Sequence, residues 1–158
     1  QSPLGICATP VSLTDVSQTI VDVFQAELAS SNTARSLLDI ATQPDDLNRI
    51  VFSEYHAAGA VSGAFMLRQG RWKLIHYVGF EDELFDLAAD PEELHNLATD
   101  PAHDAIRAEL RAELETMVDT QAADAQAFAD QAALIERHGG LERALTLGAP
   151  GATPPPAT

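Results

Sequence analysis

The feature that most constrains this chain is a pair of β-type runs with only two residues between them. Val61 to Arg68 and Arg71 to Tyr77 are rich in aliphatic, aromatic and β-branched residues, and Gln69-Gly70 is all that separates them. A link that short suits a hairpin, with Gly70 supplying the positive φ that such a turn demands. Along the second run Trp72, Leu74 and His76 share one face, and Lys73, Ile75 and Tyr77 share the other, because a strand alternates sides. Ile50 to Tyr55 is a further β-branched and aromatic run before the hairpin, and Glu83 to Leu87 is a short one after it. The expectation is a four-stranded, mostly antiparallel meander.

A sheet of this size needs a cover. The sequence offers one C-terminal to it. Asp90-Pro91-Glu92-Glu93 has an N-cap Asp, a Pro at the first position and a Glu at the third, which predicts a helix start. Asp100-Pro101 repeats the signal. After it Ile106, Leu110, Leu114, Met117 and Val118 form one apolar stripe at helical spacing, with Arg111 and Glu115 placed to pair on the wet side. Residues 121–137 are rich in Ala and Gln and predict a helix that stops at Gly139-Gly140, and Leu141 to Leu147 add about two turns. The tail, 148–158, is Gly, Ala, Thr and Pro with Pro154-Pro155-Pro156, and reads as disordered or laid out as an extended arm. On the N-terminal side, Thr14-Asp15 opens a helix whose apolar face is Val16, Ile20, Val23 and Phe24. A loop of small and polar residues comes next, then a short helical turn from Arg35 to Ala41.

Charge and cysteine usage remove several function classes. Of 158 residues, 24 are acidic and nine basic, a net charge of −15. Nucleic-acid binding and adhesion to anionic membranes need clustered Lys and Arg, so both are disfavoured. The charge is local. Residues 81–130 carry fifteen acidic side chains against Arg107 and Arg111 alone, a net of −13, and the expectation is a solvated helix face with capping turns. A lone Cys7 excludes an intrachain disulfide and any multi-Cys metal site. No apolar run approaches the roughly 20 residues of a membrane span. The first residue is Gln1, with no signal-peptide pattern after it, so the chain reads as cut from something longer and its compartment stays open.

No complete catalytic set is present. There is no Gly-rich phosphate loop, no Gly-x-Ser-x-Gly and no pair of His at i, i+4 on a helix. Asp45-Asp46 reads as a solvated turn. Cys7, followed by Ala8-Thr9-Pro10, has no neighbour to lower its pKa.

An ordered string of short motifs points further. It runs Glu54-Tyr55-His56, Met66-Leu67-Arg68, Gly70-Arg71-Trp72-Lys73-Leu74-Ile75, Leu84-Phe85-Asp86-Leu87 and Asp90-Pro91-x-Glu93-x-x-Asn96-Leu97. This resembles the C-terminal subdomain of the sulfatase family, in the alkaline-phosphatase-like superfamily. Pro10 through Phe24 is similar to the family's last core strand and helix, although Gln18 stands where a Pro before Thr19 is usual. Arg35-Ser36-Leu37-Leu38 is similar to the family's next segment after that helix. The fold implied is α+β, a small four-stranded antiparallel sheet covered by C-terminal helices and preceded by a remnant of an α/β catalytic core. The implied division is residues 1–48 for the core remnant, 49–120 for the sheet-and-helix subdomain, 121–147 for a helical extension and 148–158 for the tail.

The resemblance implies a sulfuric ester hydrolase. Members use a formylglycine made from a Cys/Ser-x-Pro-x-Arg motif and a calcium ion held by Asp and Asn side chains. Cys7 to Val11 does not match that motif, so the formylglycine and calcium belong to a core expected upstream of Gln1. No catalytic residue, metal or cofactor is assigned to this chain, which by itself is expected to be inactive. What it contributes is a rim of the substrate pocket, Glu54, Tyr55, His56 and Gly59, where polar side chains precede small residues that let a ligand approach the backbone. The plainer alternative is that Glu54 and His56 only satisfy strand ends. Lys73 is expected to be structural, pairing with Glu81 or Glu83. The partner implied is a small sulfate ester, an aryl sulfate, choline sulfate or a sulfated sugar. A phosphonate or phosphodiester monoesterase of the same superfamily is the alternative. From another class, a non-catalytic acidic module would oligomerise through the Ala/Gln-rich helix and the Pro-rich tail. A chain lacking the rest should expose the apolar side of residues 16–24 and one sheet face.

Overall fold

A computed structural model describes residues 5–26, 34–56 and 59–147. The expected extended tail, 148–158, lies outside the described residues. The elements run α1 (Leu13–Phe24), α2 (Leu37–Ile40), β1 (Ile50–Tyr55), β2 (Ala64–Gln69), β3 (Trp72–Tyr77), β4 (Glu83–Asp86), a 3₁₀ turn (Pro101–His103), α3 (Asp104–Met117), α4 (Thr120–Arg137) and α5 (Leu141–Leu147). The sheet is an antiparallel meander in the order β1-β2-β3-β4, as the alternation and the two-residue link predicted. Gln69 pairs with Trp72 across the turn, and Gly70 takes φ +58°. The second strand starts at Ala64 rather than Val61 and the third at Trp72. The fourth ends at Asp86, although Leu87 N–H still donates to Arg71 O at 2.7 Å.

One face of the sheet carries the core. Phe65, Leu67, Leu74 and Leu84 are buried there with Ala98, Leu110 and Leu114, and Ile50, Phe52, Trp72, Ile106 and Val118 pack around them. The α3 stripe is therefore the cover, and its two central leucines have no exposure. Each fully buried leucine contributes roughly 2 kcal/mol of transfer free energy. Met117, at the end of the stripe, is about half exposed. Arg111 sits 3.4 Å from Glu115, as its spacing predicted, and also 3.5 Å from Asp82. The opposite sheet face is covered only in part, since Val51 and Phe85 are buried there while Tyr55 and Ser53 are exposed.

Residues 87–100 depart from expectation. No helix starts at Asp90-Pro91. Asp90 Oδ2 accepts from His95 N–H at 2.8 Å, and Glu93 takes a left-handed φ of +58°, which ends the turn after one loop. Lys73 fixes that reversal by pairing with Glu93 at 2.5 Å, so its partner is neither Glu81 nor Glu83. Asn96 then takes over the capping: its Oδ1 accepts from Leu84 N–H and Ala98 N–H, and Leu97 N–H donates to Leu84 O. These tertiary bonds satisfy the backbone that a helix would have satisfied internally. The second signal does start a helical segment, because Asp100 accepts from Ala102 N–H and opens the 3₁₀ turn that leads into α3.

The N-terminal elements are tied to the sheet by one buried carboxylate. Asp15 has no exposed surface, and Arg49, just before β1, grips it with two nitrogens at 2.8 Å each. Ser12 N–H and Arg35 N–H donate to the same carboxylate. Asp45 and Asp46 are exposed, and they also hold the segment before α1, Asp45 Oδ1 accepting from Ala8 N–H and Asp46 N–H donating to Thr9 Oγ1. The apolar side of α1 has no cover among the described residues: Val16, Ile20, Val23 and Phe24 are 39, 54, 58 and 76% exposed. No helix among the described residues is long and apolar enough to cross a membrane.

Candidate functional site

The residues expected to form a rim lie where β1 ends and the chain loops back into β2. Strand alternation divides them. Glu54 stands opposite Phe65 and therefore on the core face, and Tyr55 stands opposite Ala64 on the other. His56 lies beside Glu54: its Nε2 is 3.8 Å from Glu54 Oε2, and its ring meets the edge of Phe65 at 5.2 Å and 77°. Phe65 in turn stacks on His76 at 6.4 Å. Glu54 and His56 thus form one group beside the core. Tyr55 and Gly59 form another, lining a cavity of about 410 Å³ on the far side of the sheet.

The loop between β1 and β2 is held from outside. Gly63 N–H donates to Asp124 Oδ1 at 2.5 Å, and Gln131 Nε2 donates to His56 O at 3.1 Å. Asp124 and Gln131 are two helical turns apart on α4, so one helix face fastens both ends of the loop. Gly63 also makes room. A Cβ there would lie 2.8 Å from His56 Cε1 and 2.9 Å from Phe65 Cε2, closer than real contacts allow. The absence of a side chain at Gly63 is what seats the His56 ring. His56 Nδ1 is buried with no hydrogen-bond partner among the described residues. Sequence reasoning missed Asp124 and Gln131, whose seven-residue spacing was the only signal available.

Two further clusters are structural. His76 Nδ1 lies 2.7 Å from Asp82 Oδ1, with Arg111 on the same carboxylate, at the edge of the core. Arg71 and Asp86 pair across the start of the hairpin, and the guanidinium holds the Asp86 carboxyl below the usual carboxylate range. On the cavity side, burial pushes the Tyr77 hydroxyl up and its hydrogen bond to Glu83, at 3.1 Å, adds to the shift. No group of three or more His, Cys, Asp or Glu side chains that could hold a metal ion comes together among the described residues. Cys7 is exposed and unbridged, and no Arg stands after it at the formylglycine spacing. The described residues do not fit a calcium centre.

Comparison with known proteins gives a consistent result. The sequence model of the family described as N-sulphoglucosamine sulphohydrolase, C-terminal, matches residues 6–120. Arylsulfatase K of Rattus norvegicus is 35% identical over 101 residues, which is 57% of this chain and 18% of that protein. The structure of a 2-O GAG sulfatase superposes with a TM-score of 0.54 at 28% identity, covering 70% of this chain and 25% of the other. A phosphonate monoester hydrolase from Silicibacter pomeroyi superposes with a TM-score of 0.55 at 25% identity, covering 69% and 25%. The chain thus spans less than a fifth of the length of that curated relative. The match to the family model includes α1, the sheet and α3, and stops where α4 begins.

Proposed function

This chain belongs to the N-sulphoglucosamine sulphohydrolase C-terminal family, and on that premise we propose that it works as the C-terminal part of a sulfuric ester hydrolase. In this reading it completes the fold and lends one wall to the substrate site. The nucleophile and metal site, a formylglycine and a calcium ion, are supplied by a part of the enzyme outside these 158 residues. The observation that carries the proposal is the family match over residues 6–120, which takes in α1, the sheet, the loop between β1 and β2, and α3. The uncovered apolar side of α1 supports it, since faces of that kind mark surfaces that bind another body. We assign His56, seated by Gly63 and 22% exposed, as the side chain of this wall that hydrogen-bonds an ester oxygen, through Nε2, since its Nδ1 is buried.

The superposition on a phosphonate monoester hydrolase supports a second reading, hydrolysis of a phosphonate or phosphodiester on the same scaffold. One experiment addresses both. The coding sequence on both sides of this chain is read, and the complete product and this chain are assayed separately on 4-nitrophenyl sulfate and on phenyl phosphonate esters. We expect a Cys/Ser-x-Pro-x-Arg motif upstream, sulfate turnover by the complete product, and none by this chain. Metal-dependent turnover by this chain alone, or a complete product without the motif, overturns the proposal. Preference for the phosphonate ester selects the second reading.

A further inference from the structure

The two edges of the sheet are finished differently. Val78 N–H donates to Gly63 O and Leu87 N–H donates to Arg71 O, each bond continuing a strand pairing by one residue. Bonded residues alternate along an antiparallel ladder, so these two bonds fix which way the backbone groups of the meander point. Val51, Ser53 and Tyr55 bond to β2, and the N–H and C=O of Ile50, Phe52 and Glu54 point outward, away from the sheet. On the opposite edge the outward groups of β4 are taken. Leu84 N–H donates to Asn96 Oδ1, Leu84 O accepts from Leu97 N–H, and Asp86 O accepts from the Ala89 and Asp90 amides. On β1 nothing among the described residues bonds to the outward groups of Ile50, Phe52 and Glu54. Free edges are usually guarded by Lys, Pro or a bulge. Ile50–Tyr55 contains neither Lys nor Pro, and its pairing with β2 runs without a bulge. Ser53, Glu54 and Tyr55 are exposed, and a cavity of about 410 Å³ lies along Ile50, Val51 and Phe52, which leaves room beside the edge.

We propose that two copies of this chain pair through the outer edges of β1, antiparallel about a two-fold axis at Phe52, so that two four-stranded sheets join into one. The sequence of β1 selects that register. With Phe52 opposite Phe52, Ile50 of each copy stands opposite Glu54 of the other, and Val51 opposite Ser53. Every outward group then has a partner, since a bonded antiparallel pair exchanges both its N–H···O bonds. The aromatic pair on the axis adds to the contact. An axis at Glu54 would set two carboxylates against each other. An axis at Val51 or at Ser53 would leave the groups of Glu54 or of Ile50 unpaired, because His56 O, the next acceptor along the edge, is already held by Gln131. The contact is small and each copy carries a net charge of −15, so the dissociation constant is expected on the order of tens of micromolar and should fall with added salt. The pairing depends on the backbone of the sheet and is independent of the reaction proposed above.

The test is sedimentation equilibrium and amide hydrogen exchange on this chain, far below and far above that dissociation constant. Expected is a dimer at the higher concentration, with exchange at Phe52 and Glu54 slowed about tenfold or more relative to the dilute sample, while Ser53, already bonded to β2, is protected in both. Glu54→Pro removes one outward N–H and no bond to β2, and should leave a folded monomer at the higher concentration. Ile50→Glu sets a carboxylate opposite Glu54 at both ends of the contact and should weaken the dimer about tenfold. Adding Glu54→Lys to Ile50→Glu should restore the affinity to within about threefold of the parent. If Glu54→Pro does not fold, the charge pair and the exchange pattern decide. Exchange at Phe52 and Glu54 that does not change with concentration, a folded Glu54→Pro that dimerises like the parent, or a Glu54→Lys change that fails to rescue Ile50→Glu overturns the proposal. Association through the apolar side of α1 alone would give a dimer without the change in exchange at Phe52 and Glu54, and so also overturns it.

Discussion

Asp15 shows how much one residue decides in a chain of this kind. It lies in the first turn of a helix whose apolar positions face outward, yet it is the one residue of α1 that is fully buried. Burial opposes its charge, and the Arg49 guanidinium together with the Ser12 and Arg35 amides outweighs that penalty, holding its carboxyl well below the usual carboxylate range. A depressed carboxyl stabilises the fold at pH above its unfolded value, about 3.9, and that contribution is lost as pH falls from there toward the folded value. Asp15→Ala is therefore expected to cost about 3 kcal/mol at pH 7, because it leaves the Arg49 charge buried and unpaired. The gap between variant and parent should narrow below about pH 4, where the parent loses the same interaction. Denaturant unfolding followed by the fluorescence of the single tryptophan, Trp72, measures both. The pair was not legible in the sequence, where Asp15 read as a helix-opening residue and Arg49 as the first residue of the sheet-and-helix subdomain. Thirty-four residues separate them, and nothing local marks a partner at that distance.

Elements with their own period were legible. The β hairpin, the α3 stripe and the Gly139-Gly140 stop of α4 arise from alternation, from helical spacing and from glycine's access to positive φ, and all three stand where those rules put them. The segment from Asp90 failed for a reason of the same kind. Its N-cap signal was present, but a helix there would have had to give up the Lys73–Glu93 pair and the Asn96 bonds to β4, and these long-range partners took the backbone instead. α4 carries the element-scale prediction. Asp124→Ala removes the acceptor of Gly63 N–H and is expected to cost about 1–2 kcal/mol. Amide exchange at Gly63 should quicken while exchange at Leu74 in β3 tracks only the global loss. Equal effects at both positions would show that α4 does not fasten the loop.

At the scale of the molecule, the charge and the apolar surface occupy different places. The acidic residues of 81–130 sit on caps, on ion pairs with Arg71, Lys73, Arg107 and Arg111, and on the outer side of the helices. Among the described residues, α1 carries a run of apolar surface, with Leu13 85% and Phe24 76% exposed. Val23→Lys combined with Phe24→Lys should leave the unfolding free energy within about 0.5 kcal/mol, since both side chains are mostly in water already. The same change should raise the concentration at which the chain begins to self-associate, read by light scattering. A large loss of stability in this variant would show that the α1 face is packed in solution. The sequence by itself determined the antiparallel sheet, the helix that covers it and the family to which both belong, because these rest on periodicities and short motifs that act over a few residues. The tertiary structure alone decided which side of the sheet each rim residue faces, that Gly63 seats His56, that α4 clamps the loop, and that Asp15 joins the N-terminal helix to the sheet. Those outcomes depend on contacts between residues far apart in the chain, where burial and unsatisfied hydrogen bonds, rather than local preference, set the balance.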